Sequence, residues 1–281
     1  SSGVELTLST INIKQKNFEW STDFTFSHTN NKITKLDSRT NVLSLVSGLG
    51  YAREGYPVRA LFSIPFVGLN EEGLPQFINQ EGNKTVTDIN FQEVEKTDFL
   101  KYEGPTDPTI TGGFGNLFHF YGVTVNVFIT YSFGNVVRLD PYFASSYDDM
   151  TALPRDFRNR WTLPGDETKT NIPVIASVRQ NYSYGSYELA TCYNAYNYST
   201  ERVAKGDFIR MKEISVTYDL PSKVLNDVPL SKVSFKAQVT NPFLIYADKK
   251  LNGQDPEFIN SGGVATPMAK QFTFTLRLGF K

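Results

Sequence analysis

The sequence has 281 residues, 28 of them Lys or Arg and 29 Asp or Glu, which gives a formal net charge of −1. This near-neutral balance argues against a nucleic-acid-binding protein, because such proteins need a basic surface. A single cysteine, Cys192, and two histidines exclude an internal disulfide framework and leave too few Cys and His ligands for a zinc site. We therefore expect no metal and no cofactor.

Apolar segments that could cross a membrane as a helix are missing from the sequence. The longest stretch without a formal charge, residues 108–137, is interrupted by Asn, Gly, Thr and His, whereas a transmembrane helix needs about 20 mainly apolar residues. The chain opens with Ser1-Ser2-Gly3-Val4 and not with a hydrophobic signal sequence. We expect either that a signal was removed or that the chain starts inside a longer protein.

Helical periodicity is hard to find, whereas apolar and polar residues alternate with period two in several windows. Such alternation predicts strands with one apolar and one polar face. The clearest windows are residues 18–28, 123–133, 233–239 and 272–280, and weaker ones are residues 4–13, 58–67, 114–120 and 208–218. In the last window the apolar positions change parity between Met211 and Ile214, which predicts a β-bulge.

Short and long connections alternate along the chain. The short ones are residues 14–17, 121–122 and 219–231, and the long ones, rich in Gly, Pro, Asn, Asp, Ser and Tyr, are residues 30–57, 135–207 and 247–270. This alternation is typical of an up-and-down antiparallel sheet with turns at one end and elaborate loops at the other.

Two architectures fit strands of this kind. In a soluble β-sandwich the apolar face would be buried in a core, and strands would run to about five or six residues. In an outer-membrane barrel the apolar face meets lipid, the polar face lines the lumen, and strands run to about 9–11 residues. Strand length favours the barrel, and so do aromatic residues near strand ends, such as Trp20 and Tyr131. We predict an all-β protein, a transmembrane antiparallel up-and-down β-barrel with long extracellular loops.

The strand count predicts that the barrel is incomplete in this chain. The windows give seven strands, or nine if residues 58–67 and 74–79 add a pair. Bacterial single-chain barrels have an even number of strands and both termini on the periplasmic side. An odd count therefore predicts at least one further strand before residue 1.

Short motifs in a recurring order extend over nearly the whole chain. They are Gly3-Val4-Glu5-Leu6, Lys16-Asn17-Phe18-Glu19-Trp20, Glu54-Gly55-Tyr56-Pro57-Val58, Gly68-Leu69-Asn70-Glu71-Glu72-Gly73-Leu74-Pro75, Gly112-Gly113-Phe114-Gly115-Asn116, Tyr131-Ser132-Phe133-Gly134-Asn135, Arg160-Trp161 with Pro164-Gly165-Asp166, Phe208-Ile209-Arg210-Met211-Lys212, Tyr218-Asp219-Leu220-Pro221, Thr240-Asn241-Pro242-Phe243 and Gly253-Gln254-Asp255-Pro256-Glu257. On these motifs the sequence resembles the C-terminal part of the SusC/RagA family of TonB-dependent outer-membrane transporters of Bacteroidetes.

The resemblance implies that residues 1–281 are the C-terminal segment of a barrel of about 22 strands. The plug domain that fills such a barrel and the TonB box before it are absent from this sequence. Further implications are a location in the bacterial outer membrane, a SusD-like surface lipoprotein as partner, and TonB-driven import of a glycan, an oligosaccharide or a peptide. One departure is the C-terminus, where Lys281 follows Phe280, although barrel chains usually end on an aromatic residue.

The alternation assigns a face of the barrel wall to each strand residue. The residues predicted to face lipid are Phe18, Trp20, Phe24, Phe26, Val125, Val127, Ile129, Phe235, Phe272, Phe274, Leu276, Leu278 and Phe280. The residues predicted to face the lumen are Glu19, Asp23, Asn126, Lys236, Gln238 and Arg277. The second set could contact the plug or a passing solute, or could simply be hydrated or paired between neighbouring strands.

Aromatic residues of one predicted loop are the candidate binding residues. They are Trp161, Tyr182, Tyr184, Tyr187, Tyr193, Tyr196 and Tyr198. Tyrosine offers a flat apolar ring with a polar tip, which suits substrate or partner contacts, and the alternative is that these rings pack the loop against itself. Adjacent carboxylates such as Glu71 and Glu72 lie in loops, so we expect no enzyme. The open alternatives are a soluble, secreted β-sandwich that binds glycan and a structural adhesin domain.

Overall fold

The computed structural model describes residues 1–47, 53–143, 153–259 and 268–281. Strands predominate in these ranges, with three α-helices and several short 3₁₀ turns. The strands are β1 (Ser2–Gln15), β2 (Phe18–Asn30), β3 (Ala60–Ser63), β4 (Phe66–Leu69), β5 (Pro75–Ile78), β6 (Lys84–Thr85), β7 (Lys101–Pro105), β8 (Ile110–Phe120), β9 (Val123–Phe133), β10 (Val136–Arg138), β11 (Val203–Lys205), β12 (Phe208–Asp219), β13 (Leu230–Ala247) and β14 (Gln271–Phe280). The helices are α1 (Val42–Ser47), α2 (Val178–Tyr184) and α3 (Ser186–Asn197).

Seven long strands form one antiparallel sheet in the order β1-β2-β8-β9-β12-β13-β14. Each strand pairs with the next long strand along the chain, which is the predicted up-and-down arrangement. The predicted bulge in β12 is confirmed by a register shift between Met211 and Glu213. The alternative count of nine is wrong, because residues 58–67 and 74–79 contribute four-residue strands to separate small sheets.

Strand β13 is much longer than the predicted residues 233–239. Its alternation is interrupted at Asn241, which has a φ of 51°, and Pro242 follows. Pairing with β12 nevertheless continues beyond this point, to Ala247 opposite Phe208. A register shift absorbs the irregularity, so the strand continues where the sequence pattern stops.

The pairing register separates the two faces of the sheet. Directly paired residues of neighbouring strands lie on the same face. One row of paired residues is apolar and consists of Trp20, Phe118, Val125, Val216, Ala237 and Phe274. The adjacent row is polar and consists of Glu19, His119, Thr124, Thr217, Lys236 and Thr275. Followed along every strand, this register places all the residues predicted to face lipid on one face and all those predicted to face the lumen on the other. That lipid covers the apolar face stays a prediction.

Large side chains of the apolar face remain exposed in the described residues, most of all on the edge strand β14. Phe272, Phe274 and Phe280 are 72%, 82% and 72% exposed. A soluble β-sandwich would bury this face against a second sheet, so the exposure of these rings does not favour that alternative.

The long connections predicted as loops are folded into a compact body. Residues 31–47, 53–109, 134–143 and 153–207 pack together around a common hydrophobic core with Phe62, Phe77, Leu189 and Tyr196 at its centre. We call this body the loop domain. Small sheets made of β3 with β7, of β4 with β5 and β6, and of β10 with β11 frame it, and the three helices lie within it.

In the described ranges, no helix combines the length and apolar character needed to cross a membrane. The same ranges contain no group of three or more His, Cys, Asp or Glu side chains arranged to hold a metal ion.

Candidate functional site: a polar sheet face and a folded loop domain

The polar face of the sheet is cross-linked between neighbouring strands. Asn126 of β9 donates a hydrogen bond to Glu213 of β12 at 3.2 Å, and Lys236 of β13 lies 3.7 Å from the same carboxylate oxygen of Glu213. Three consecutive strands are thereby connected through one carboxylate. The arrangement fits the interpretation that polar residues of this face pair with one another.

Two further residues of the polar face have partners on β1. Asp23 accepts a hydrogen bond from the Ser9 hydroxyl at 2.6 Å, and Glu19 forms an exposed ion pair with Lys14 at 3.8 Å. Gln238 and Arg277 lie on the same face, opposite Ser215 and Ser234 respectively. Any contact of these side chains with a plug or a solute stays a prediction.

Three of the six candidate tyrosines pack inside the loop domain. Tyr196 is fully buried, and its burial raises the pKa of its hydroxyl. The Tyr193 hydroxyl donates a 2.7 Å hydrogen bond to the Val174 carbonyl. The Tyr198 ring is half-buried, with its centroid 6.2 Å from that of Phe91. The contacts of these three rings fit the packing alternative.

The other three tyrosines lie on or near α2 and α3. The Tyr184 hydroxyl donates a 2.7 Å hydrogen bond to the Glu72 carboxylate, and this bond raises the pKa of Tyr184. Tyr182 and Tyr187 are 87% and 81% exposed. Packing does not account for these two exposed side chains, and a binding role for either of them stays a prediction.

Local sequence explains why α2 and α3 form. Ser177 caps α2 through a reciprocal capping box with Gln180, and Gly185, with a φ of 90°, separates the two helices. A glycine is needed there because this φ is unfavourable for other residues.

The candidate residue Trp161 packs against a glycine. Trp161 is 9% exposed, and its ring lies so close to Gly73 that an added Cβ would be 2.4 Å from it. Its indole N–H donates a 2.9 Å hydrogen bond to Glu167, and this bond lowers the pKa of the Glu167 carboxyl. The structure thus gives Trp161 a packing role between two turns.

We expect Gly73→Ala to destabilise the loop domain by about 3–5 kcal/mol, from a strained positive φ and an overpacked contact together. The φ of Gly73 is +75°, and that of Gly82 is +78°, but a Cβ at Gly82 meets no atom within 4 Å. Gly82→Ala is therefore the matched control and should cost only about 1–2 kcal/mol. Thermal unfolding and protease resistance of the full-length protein measure the destabilisation in each of the two variants. Equal effects of the two variants would contradict the contact with Trp161.

Two arginines, the half-buried Arg138 and the buried Arg202, hold the connections of the loop domain together. Arg138 donates hydrogen bonds to the carbonyls of Ser199 at 2.8 Å, Phe62 at 2.6 Å and Val46 at 3.2 Å, and so joins both long connections. Burial lowers the pKa of its guanidinium to about 10. Arg202 donates to the Asp140 carbonyl at 2.5 Å. Buried charges of this kind require several acceptors, which here are backbone carbonyls.

A buried ion pair fastens the loop between β13 and β14 to the sheet. Arg210 of β12 is 3% exposed and Asp255 is fully buried, and their nearest side-chain atoms are 2.6 Å apart. Glu257 also lies 3.2 Å from the Arg210 guanidinium. Because Arg210 pairs with Thr130, it belongs to the polar face, so this loop folds over that face.

An open groove runs beside α3 on the surface of the loop domain. It has a volume of about 400 Å³. Its walls include two candidate tyrosines, one exposed and one half-buried, together with other aromatic and neutral polar residues. We call it the α3 groove, and its principal lining residues are Leu43, Phe91, Phe143, Tyr187, Thr191 and Asn194.

The single cysteine is enclosed in the loop domain. Cys192 is fully buried, its sulfur lies 3.8 Å from the Pro75 carbonyl, and burial raises the pKa of its thiol. Only the thiolate is nucleophilic, so a raised pKa and a closed environment both suppress its reactivity.

We expect Cys192 to resist N-ethylmaleimide in the native full-length protein even at about pH 8.5, where an ordinary thiol is half ionised. Mass spectrometry of the peptide that contains Cys192 reads the modification directly. The same peptide should be fully labelled after unfolding in guanidinium chloride. Fast labelling of the native protein would show that the loop domain opens readily.

Comparison with known proteins relates this chain to proteins named TonB-dependent receptors. No protein-family model matches the sequence. Two curated proteins of Formosa agariphila, TonB-dependent receptor P39 and TonB-dependent receptor P3, are each 24% identical to it and align with 94% and 91% of the chain. The chain spans about a quarter of their length, 28% and 25% respectively.

Solved structures add a likeness of fold. The RagAB peptide importer in its open-open state matches 99% of this chain with a TM-score of 0.70 at 18% identity, and the chain covers 28% of that protein. A second structure, of the RagAB peptide transporter, matches 98% of the chain with a TM-score of 0.70 at 20% identity, and the chain covers 29% of it. The resemblance to SusC/RagA-type TonB-dependent receptors is confirmed. At these identities the structural likeness concerns the fold alone.

Four structurally important residues were not singled out from the sequence: Arg138, Arg202, Arg210 and Asp255. Arg210 and Asp255 lie in two of the SusC/RagA-type motifs, and the structure joins them. A charged residue inside an otherwise apolar strand end was the available signal, because a strand position next to apolar residues rarely keeps a charge without a partner. Arg138 and Arg202 offered no comparable signal, since both stand in loop-like sequence.

Proposed function

We propose that this chain forms the C-terminal wall and part of the extracellular surface of a TonB-dependent importer in the bacterial outer membrane. The observation that carries the proposal is the seven-stranded sheet, with an exposed apolar face and a cross-linked polar face. In a bilayer, strands can span only if a closed barrel satisfies every backbone hydrogen bond. An apolar outer face and a polar inner face are the pattern of such barrels.

The two edges of the sheet support the barrel. β1 and β14 are the first and last strands of the sheet, with 14 and 10 residues. Long, exposed edge strands with apolar side chains invite aggregation unless they are paired. We infer that the rest of a barrel of about 22 strands pairs with both edges.

The proposed function is uptake of a nutrient, either a glycan or oligosaccharide or a peptide, by gated passage through the barrel. The relatives that support it are named as receptors or as an importer, not as enzymes. In this proposal TonB supplies energy through the N-terminal part of the importer. A SusD-like lipoprotein covers the loop domain, and the segment 1–281 contributes wall strands and loops without covalent chemistry.

Fractionation of cells that produce the full-length protein tests this proposal. We expect the protein in the outer-membrane fraction, extracted only by detergent, together with a surface lipoprotein. Deletion of the gene should abolish growth on one nutrient class, and the intact gene should restore it. Recovery of the native full-length protein in buffer without detergent would instead support the soluble β-sandwich.

A further inference from the structure

The side of α3 that faces the groove combines an aromatic residue with neutral polar ones. Tyr187, Thr191 and Asn194 are spaced by four and three residues, so they follow one side of the helix. Ala190 and Thr191 have small side chains and lie between the larger side chains of Tyr187 and Asn194. The helix therefore presents a hollow with an exposed tyrosine ring at one end and a carboxamide at the other.

The opposite side of the α3 groove is held in place by a backbone hydrogen bond, a ring stack and a side-chain hydrogen bond. The Leu43 N–H donates to the Phe91 carbonyl at 2.9 Å, and both residues line the groove. Phe143 stacks on Tyr193 with ring centroids 4.5 Å apart. The Asn197 carboxamide donates to the Phe143 carbonyl at 2.8 Å. These contacts form the groove walls before any ligand arrives, which lowers the cost of binding.

The charge state of the lining restricts the class of ligand. In the part of the chain that the structure describes, every side chain that lines the α3 groove is uncharged at neutral pH: the set consists of aromatic, aliphatic, hydroxyl and carboxamide groups. A phosphate, carboxylate or ammonium group would lose part of its hydration there without an opposite charge in return. The groove therefore disfavours charged ligands, and its volume of about 400 Å³ falls within the range of small-molecule sites.

Neutral sugars and neutral peptide segments are the ligand classes that remain. The structure of the groove walls favours one over the other. An extended peptide is usually recognised through a free strand edge, whose backbone groups it pairs with. One wall here is α3, whose backbone groups are bonded within the helix except at its ends. A pyranose ring needs no strand edge, because it offers an apolar C–H face to an aromatic ring and hydroxyl groups to carboxamides. The 81% exposed ring of Tyr187 supplies that aromatic surface.

We propose that the α3 groove binds a neutral sugar ring of an oligosaccharide, stacked on Tyr187 and hydrogen-bonded by Asn194 and Thr191. This proposal rests on the proposed importer and narrows its substrate class to neutral glycans. It also gives Tyr187, and not the exposed candidate Tyr182, the role of ligand contact.

Saturation-transfer NMR and calorimetry on the detergent-purified full-length protein test the groove. The probes are maltotriose, laminaritriose and xylotriose, with acetyl-Ala-Ala-Ala-amide as a neutral peptide. We expect one of the sugars to bind and Tyr187→Ala to weaken its binding by about tenfold. Ala190→Trp should block it by filling the hollow.

Tyr182→Ala is the matched control, because Tyr182 is equally exposed but lies on α2, outside the groove lining. It should leave sugar binding unchanged. Binding of the peptide in place of the sugars, no binding of any sugar, or equal loss in Tyr182→Ala and Tyr187→Ala would each overturn the proposal. If the protein sits in the outer membrane and supports nutrient uptake while no sugar binds, the groove assignment alone fails. If the full-length protein is recovered in buffer without detergent, the proposed importer function is contradicted, regardless of the result of the sugar-binding measurements.

Discussion

Val127→Arg is expected to destabilise the folded full-length protein by about 2–4 kcal/mol in a lipid bilayer. Val127 lies near the middle of β9 on the apolar face, paired with Asn116 and Ile214. An arginine there would have to bring its charge into hydrocarbon. Urea unfolding of the full-length protein in lipid vesicles measures the change.

Asn126→Arg is the matched control for that substitution. Asn126 precedes Val127 on the same strand and belongs to the polar face, where Glu213 is within hydrogen-bond distance. The same change should therefore cost no more than about 0.5 kcal/mol. If Asn126→Arg were the damaging variant, the polar face would be the outer one.

The same substitution at the end of the strand distinguishes burial in lipid from burial in a protein core. Val123 is on the same face as Val127 but at the first position of β9, next to the turn that contains Tyr121. In a bilayer, Val123→Arg should cost only about 0–1 kcal/mol, because the penalty falls toward the interface. Similar penalties at both positions would indicate burial against protein, as in the β-sandwich.

The sheet could be predicted from the sequence because only one of its faces is apolar. Alternation of the kind seen in residues 18–28 and 272–280 is visible only when the two faces differ, and the pairing register keeps like residues together across the sheet apart from register shifts in β1, β12 and β13. The bulge in β12 was predictable from a change in that parity. The end of β13 was not, because Asn241 and Pro242 interrupt the pattern while the pairing continues.

The loop domain could not be predicted in the same way. Its strands are short and lack alternation: β3 has four residues, all of them buried. Without an exposed side a strand leaves no period-two signal. The helices α1 and α2 are only six and seven residues long, too short for a helical period to stand out. The capping residues Ser177 and Gln180 are the sequence feature that indicates the start of α2. For the candidate tyrosines, sequence alone could not separate the exposed Tyr187 from the buried Tyr196, because both lie on α3.

Arg210→Met is expected to destabilise the full-length protein by about 3–5 kcal/mol, since it leaves the buried carboxylate of Asp255 without its cation. Asp255 also accepts hydrogen bonds from the backbone N–H groups of Glu257 at 3.1 Å and Met268 at 3.3 Å. Its charge therefore organises the loop between β13 and β14 as well as pairing with β12. Thermal unfolding in detergent and proteolysis of residues 248–259 should both report the loss.

A double-mutant cycle separates the ion pair from the space that its side chains fill. Asp255→Asn in the Arg210→Met background removes the unpaired charge but keeps a carboxamide oxygen for the two backbone donors, so we expect the double variant to be more stable than Arg210→Met alone. Lys14→Met is the control, because the Lys14 side chain is 70% exposed in its pair with Glu19. Breaking that exposed pair should cost at most about 1 kcal/mol. Strictly additive effects of the Arg210 and Asp255 substitutions would mean that packing, and not charge, joins this loop to the polar face.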